Sequence, residues 1–144
     1  MNSKKLHLLG QCIVNRTLGK DVKVNIASSW SMSCVALTTK SDNTNTAHEF
    51  IFGCIIQDDR SLEIHKIICK AYPIAKTVEP MLFAMLHEIG HVFFTGQASR
   101  TTGYSKEEYR ELPQEKFADT WAANFIKKNK LIVQLWNKQI KEAL

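Results

Sequence analysis

The chain has 144 residues, 44% of them apolar, with a formal charge of +5 and an isoelectric point near 9.1. Such a length and composition suit a single domain over residues 1–144 that buries its core without disulfides, and no apolar run is long enough to span a membrane. The basic balance invites a nucleic-acid reading, but no DNA or RNA recognition motif backs it, so direct nucleic-acid binding is not expected.

The first ten residues have a basic start but no sustained apolar stretch and no cleavage site, so no secretory signal is read and a cytoplasmic location is expected. Cys12, Cys34, Cys54 and Cys69 lack CxxC spacing, which fits reduced, mostly buried thiols. Leu6, Leu9 and Ile13 share a helical face that ends near Gly19, a C-cap residue.

Beyond Gly19 the period changes. Val22, Val24 and Ile26 alternate with polar residues, 34–39 is β-prone, and Glu49 to Ile56 is the strongest strand candidate. The polar stretch 41–46 reads as a hairpin loop, and Asp58 to Ser61 as a turn into a further strand over Leu62 to Ile68. A small antiparallel or mixed sheet followed by helices makes the expected fold class α+β. An exposed edge of that sheet would receive an extended peptide by β-augmentation.

A helix over about 78–95 follows, with Thr77 as its expected N-cap and Pro80 where a missing N–H costs nothing. From Met81 to Phe94 it is apolar nearly all round, the pattern of a buried helix. Inside it stands His87-Glu88-Ile89-Gly90-His91, an HExxH motif. At about 3.6 residues per turn, His87 and His91 share one face, where both imidazoles can bind one metal ion while Glu88 reaches its water. Burying two imidazoles and a carboxylate unpaired costs about 1–3 kcal/mol each, and one metal satisfies all three. Gly90 marks a close approach of another backbone or of substrate.

The polar, glycine-punctuated segment 96–105 reads as a loop. Tyr104 in it is a candidate donor to an oxyanion, as are His65, His48 and Tyr109, although a surface or packing role is the simpler account of each. Ser105-Lys106-Glu107-Glu108 is a capping box on a short helix leading to Pro113.

A second site helix is read over about 114–128. Phe117, Trp121 and Phe125 form an apolar stripe, and Glu115, Asp119 and Ala122 fall on the neighbouring face. Glu115 is the candidate third ligand, with His48 and His65 as alternatives. Asp119, one turn on, can accept the free ring N–H of a ligand histidine. The final helix, about 130–143, is amphipathic. Ile132, Leu135, Trp136, Ile140 and Leu144 are expected to pack inward, and Lys127, Lys128, Lys130, Lys138 and Lys141 to face water.

HExxH followed by a helix of the form E-x-x-A-[DN]-x-[FW]-A-A resembles the ImmA/IrrE group of small gluzincin-type metallopeptidases. The E-x-x-x-D spacing of Glu115 and Asp119 is also similar to the second helix of thermolysin-like enzymes. The resemblance covers roughly residues 78–126. It implies a zincin-like fold in which the two helices hold one Zn2+ ion against a small sheet, with His87, His91 and Glu115 as ligands and Glu88 as base. Mn2+ fits the same donor set. Members are typically encoded in bacteria, phages and mobile elements, and several act on helix-turn-helix repressors. The implied function is therefore a zinc endopeptidase cutting an intracellular transcriptional regulator. The alternative is a non-catalytic, metal-stabilised protein-binding or sensory module of the same fold. Two departures bear on subfamily and substrate: Phe125-Ile126-Lys127-Lys128 replaces the family's Leu-Leu-Met-Pro continuation, and no helix-turn-helix segment stands at the N-terminus.

Overall fold

The computed structural model describes residues 3–19, 23–26, 36–39, 47–52 and 59–143, with side chains described for 8–19 and 63–142. The first helix, α1 (Ser3–Thr17), stops where Gly19 takes φ 106°, a left-handed angle that glycine adopts without steric cost. The N–H groups of Leu18 and Gly19 both reach the Val14 carbonyl, at 2.8 and 3.1 Å. Beyond it the backbone pairs in three short segments, β1 (Lys23–Ile26), β2 (Ala36–Thr39) and β3 (Ala47–Phe52). Their order is β1-β3-β2, with β1 parallel and β2 antiparallel to β3. Their side chains lie outside the described residues, as do all of 53–58.

The expected α+β fold, with a zincin-like sheet packed on the HExxH helix, is overturned. The part of the molecule whose packing is described is 77% helical and contains no strand and no sheet. Its core is helix on helix. One cause lies at Leu62 to Ile68, read as a strand but contained in α2 (Asp59–Ala71). There the local alternation yields to helical spacing, with Ile64 and Ile68 one turn apart and Cys69 buried beside them. Of the cysteines, Cys69 is buried and Cys12 exposed, both free, while Cys34 and Cys54 lie outside the described residues.

After a 3-10 turn at Pro73–Thr77 comes α3 (Pro80–Val92), the central element. Met81, Leu82, Phe83, Met85, Leu86 and Ile89 are each essentially buried, so the helix is enclosed on nearly every side. Its N-cap is Glu79, not Thr77: Glu79 Oε2 accepts from the Leu82 N–H at 3.1 Å, while the Thr77 hydroxyl donates to the Ile74 carbonyl. Proline restricts the residue before it to extended backbone, and Glu79 sits at φ −63°, ψ 134°, so the helix starts no earlier.

The last helix, α6 (Lys130–Ala143), closes over that end. The buried Trp136 donates its indole N–H to Glu79 Oε2 at 3.1 Å. Asn137 accepts from the Glu79 N–H at 3.0 Å and donates to the Thr77 carbonyl at 2.9 Å. Ile132, Val133, Trp136 and Ile140 join Ile13 and Val14 of α1 in the core. Leu135, expected inward, is 41% exposed, and Val133 takes its place. The five lysines at 127, 128, 130, 138 and 141 are exposed.

Between α3 and α6 lie α4 (Lys106–Arg110) and α5 (Pro113–Lys128). α3 and α5 pack directly against each other. A Cβ on Gly90 would stand 3.0 Å from both the Cα and the carbonyl oxygen of Ala118, so glycine is what lets these backbones meet. The stripe of Phe117, Trp121 and Phe125 runs from the exposed Phe117 to the buried Phe125; Trp121 stacks on Phe93 and Phe125, and Phe117 packs on Phe94. The face of α5 that turns inward carries Glu115, Ala118, Asp119, Ala122 and Ile126. Among the described residues, no helix is long and apolar enough to cross a membrane.

Candidate metal centre

One turn of α3 sets His87 and His91 on the same side, with their Nε2 atoms 3.0 Å apart. Ligand atoms of His87, Glu88 and His91 lie within 4.8 Å of one another, and this group can hold a metal ion. Because Gly90 draws α5 close, Glu115 meets both rings: its Oε2 is 2.8 Å from His87 Nε2 and its Oε1 is 3.4 Å from His91 Nε2. Tetrahedral coordination at zinc–nitrogen distances near 2.1 Å separates ligand atoms by about 3.4 Å. These atoms therefore need to part by only a few tenths of an ångström, and the donor set fits the ion.

The far nitrogen of His87 is also occupied. Its Nδ1 donates to Asp119 Oδ1 at 2.7 Å, which leaves Nε2 facing Glu115 and His91. Both carboxylates are almost fully buried. Burial works against a charge on His87, but its hydrogen bonds to Asp119 and Glu115 and the charges of Asp119 and Glu88 outweigh it and raise the pKa to about 9. Burial opposes charge on Glu115 too. Hydrogen bonds from His87, His91 and Tyr109 prevail there, holding its carboxyl well below the usual range. Glu88 is pushed up, chiefly by burial.

Two residues of α4 complete the surround. The capping box predicted at Ser105 is formed, with Glu108 N–H donating to Ser105 Oγ at 3.1 Å and Ser105 N–H to Glu108 Oε1 at 3.1 Å. The box fixes the helix that delivers Tyr109 and Arg110. Tyr109 donates its hydroxyl to Glu115, and burial together with that bond pushes its pKa up to about 12. Arg110 reaches Glu115 Oε2 at 3.5 Å through Nη1 and Asp119 Oδ1 through Nη2, and its buried Nε has no partner among the described residues.

Arg110 was missed in the sequence, where a lone arginine in a five-residue helix carries no pattern. The available signal was the capping box, which puts residues 109 and 110 just ahead of Pro113 and Glu115. Tyr104 does not line the cavities at the centre: it lies in a neighbouring cleft that shares Ile64, Tyr109 and Arg110 with them, under the Arg100 guanidinium at 5.8 Å. His65 does line the site, but its Nε2–H is committed to the Ala75 carbonyl at 3.1 Å. The side chain of His48 lies outside the described residues.

Two cavities meet at the centre, and Glu88, His91, Tyr109 and Glu115 line both. The α2 side holds about 270 Å³ with mainly aliphatic and aromatic walls. The other, about 560 Å³ and more open, is bordered by the loop from Phe94 to Thr101. Gln114 clips that loop to α5, accepting from the Ser99 N–H at 3.1 Å and donating to the Ser99 carbonyl at 3.0 Å. Two donor rings, a half-buried carboxylate and cavities on either side make up a site able to bind a cation and admit a ligand.

No family model matches the chain, and neither the curated proteins nor the solved structures contain a significant match to it.

Proposed function

We propose that the chain is a zinc-dependent endopeptidase acting on an intracellular protein. The observation that carries this reading is the convergence of His87 Nε2, His91 Nε2 and the Glu115 carboxylate, with Glu88 beside them where two cavities meet. Zinc, or Mn2+, held by His87, His91 and Glu115 would supply Lewis acidity, lowering the pKa of a water toward about 7.

Glu88 is the general base. Burial raises its pKa above the usual carboxylate value, which makes it a stronger acceptor for a proton from water, to be returned to the leaving amine. Asp119 fixes the His87 tautomer and ring direction. Tyr109, a neutral phenol whose pKa is pushed up to about 12, would turn its hydroxyl from Glu115 to the carbonyl oxygen as negative charge develops on it. Arg110 offsets the charge of Glu115 and Asp119. By the resemblance to ImmA/IrrE, the substrate is a helix-turn-helix regulator of a phage or mobile element.

The test is co-expression with a helix-turn-helix regulator, the product of the adjacent gene being the first to try, comparing wild type with Glu88→Gln. Wild type should generate new peptide termini in the regulator, and Glu88→Gln should give none while retaining zinc. Cleavage that persists in Glu88→Gln removes the role given to Glu88. The non-catalytic alternative draws on the burial of Glu115 and Asp119, since a cation there would also rivet α3 to α5. It requires wild type and Glu88→Gln to affect the regulator equally, without new termini.

A further inference from the structure

The cavity on the α2 side is unlike the rest of the site. Ile64 and Ile68 of α2 line it together with Met81, Phe83 and Ala84 of α3, and so do His87, Glu88 and His91 of the centre and Arg110 of α4. Ala84 stands one turn before Glu88 on the same helix face, so the floor of the cavity leads directly to the base. An apolar cavity of about 150 Å³ is large enough to hold benzene, and this one holds about 270 Å³. The cavity on the other side is more open and is bordered by loop residues including Gly96, Ser99 and Thr101. The centre therefore opens on a more enclosed, more apolar side and on a wider one.

We infer that the α2-side cavity is a specificity pocket for one large apolar side chain, Leu, Ile, Met or Phe, of the residue flanking the scissile bond. This inference rests on the peptidase reading and deepens it. A charged side chain entering between Ile64, Ile68 and Met81 would lose its water and gain no partner from those walls, and Arg110, which also lines the cavity, is already held by Glu115 and Asp119, so Asp, Glu and Lys are disfavoured there. A missing methylene in such a pocket lowers discrimination-relevant binding about tenfold or more. Ala84 and Ile64 set its size: Ala84 is the small residue of the floor, and Ile64 is a half-buried part of the opposite wall.

Zinc-loaded protein is incubated with a degenerate peptide library, and the cut sites are read by mass spectrometry. Wild type should show Leu, Ile, Met and Phe enriched at one position beside the cut. Ala84→Leu, which fills the floor, should move that preference to Gly, Ala and Ser. Ile64→Ala, which widens the wall, should move it toward Phe and Trp. A parallel arm measures fluorescence anisotropy of labelled heptapeptides that differ only in one central residue, bound to zinc-loaded Glu88→Gln protein. The Leu peptide should bind at least about tenfold tighter than the Asp peptide, and adding Ala84→Leu should erase the difference.

Circular dichroism and zinc content establish that each variant is folded and loaded. Cleavage without an apolar preference, or with one that neither variant moves, overturns the pocket and leaves the peptidase reading standing. Selective binding without cleavage by wild type supports the pocket and sinks the peptidase reading. Equal binding of the Leu and Asp peptides overturns the pocket whether or not cleavage occurs.

Discussion

His87 Nδ1 and Asp119 Oδ1 lie 2.7 Å apart, joining α3 to α5 at the far side of the imidazole from Glu115. The bond decides which nitrogen of His87 is left for a cation. Asp119→Asn keeps the shape but loses the charge and the unambiguous acceptor, so zinc affinity should fall about 10–100-fold with the helical signal unchanged. Competition against a chromophoric chelator measures it. An unchanged affinity would mean that Asp119 does not orient the ring.

The same contact predicts a pH dependence. In chelator-stripped protein the hydrogen bonds to Asp119 and Glu115 raise His87 from 6.5 to about 9. Zinc must then displace a proton at pH 7, and its affinity should climb about tenfold per pH unit until the pH nears that value, then level off. Because the folded-state pKa is raised, the stability contributed by charged His87 is complete below pH 6.5 and is lost as pH rises through about 9. A zinc affinity that stays flat from pH 7 to the plateau contradicts this assignment.

Arg110 is the counter-charge to two buried carboxylates. Arg110→Met in stripped protein should cost on the order of 3 kcal/mol, since breaking a buried pair leaves a charge without compensation. Saturating zinc should recover part of that loss, because the cation supplies positive charge at Glu115. Thermal melts with and without zinc read both effects, and an equal shift in the two states would show that Arg110 matters only for packing.

Gly90→Ala tests the approach of the two site helices. Alanine is intrinsically better in a helix by about 1 kcal/mol, yet its Cβ would meet Ala118 backbone atoms at 3.0 Å. The overpacking term of about 1–3 kcal/mol should win, lowering the melting midpoint and weakening zinc binding together. A variant that melts higher and binds zinc normally would show that α5 can move away freely.

How much of this was legible in the sequence differs from element to element. The proximity of His87 and His91 follows from one helical turn, and the inward face of α5 from the spacing of Glu115, Asp119 and Ala122, because periodicity reports local geometry directly. Leu62 to Ile68 misled because a short apolar run fits either period, and only burial of Ile68 and Cys69 on one helix face decides between them. That error supplied a strand to an α+β fold whose described core is helical. The cap on α3 was misplaced by two residues because the preference for Thr at N-caps is weaker than the restriction Pro80 imposes on Glu79. Tyr109 and Arg110 reach the centre through tertiary packing, which single-residue patterns do not encode.

The hold of Trp136 and Asn137 on Glu79 also has a consequence in time. These two side chains lie 57 and 58 positions further along the chain than the residue they grip. As the polypeptide is synthesised, the metal-binding motif is therefore made before the clasp on its own helix. The first turn of α3 reaches its finished form only after residue 137 has been added.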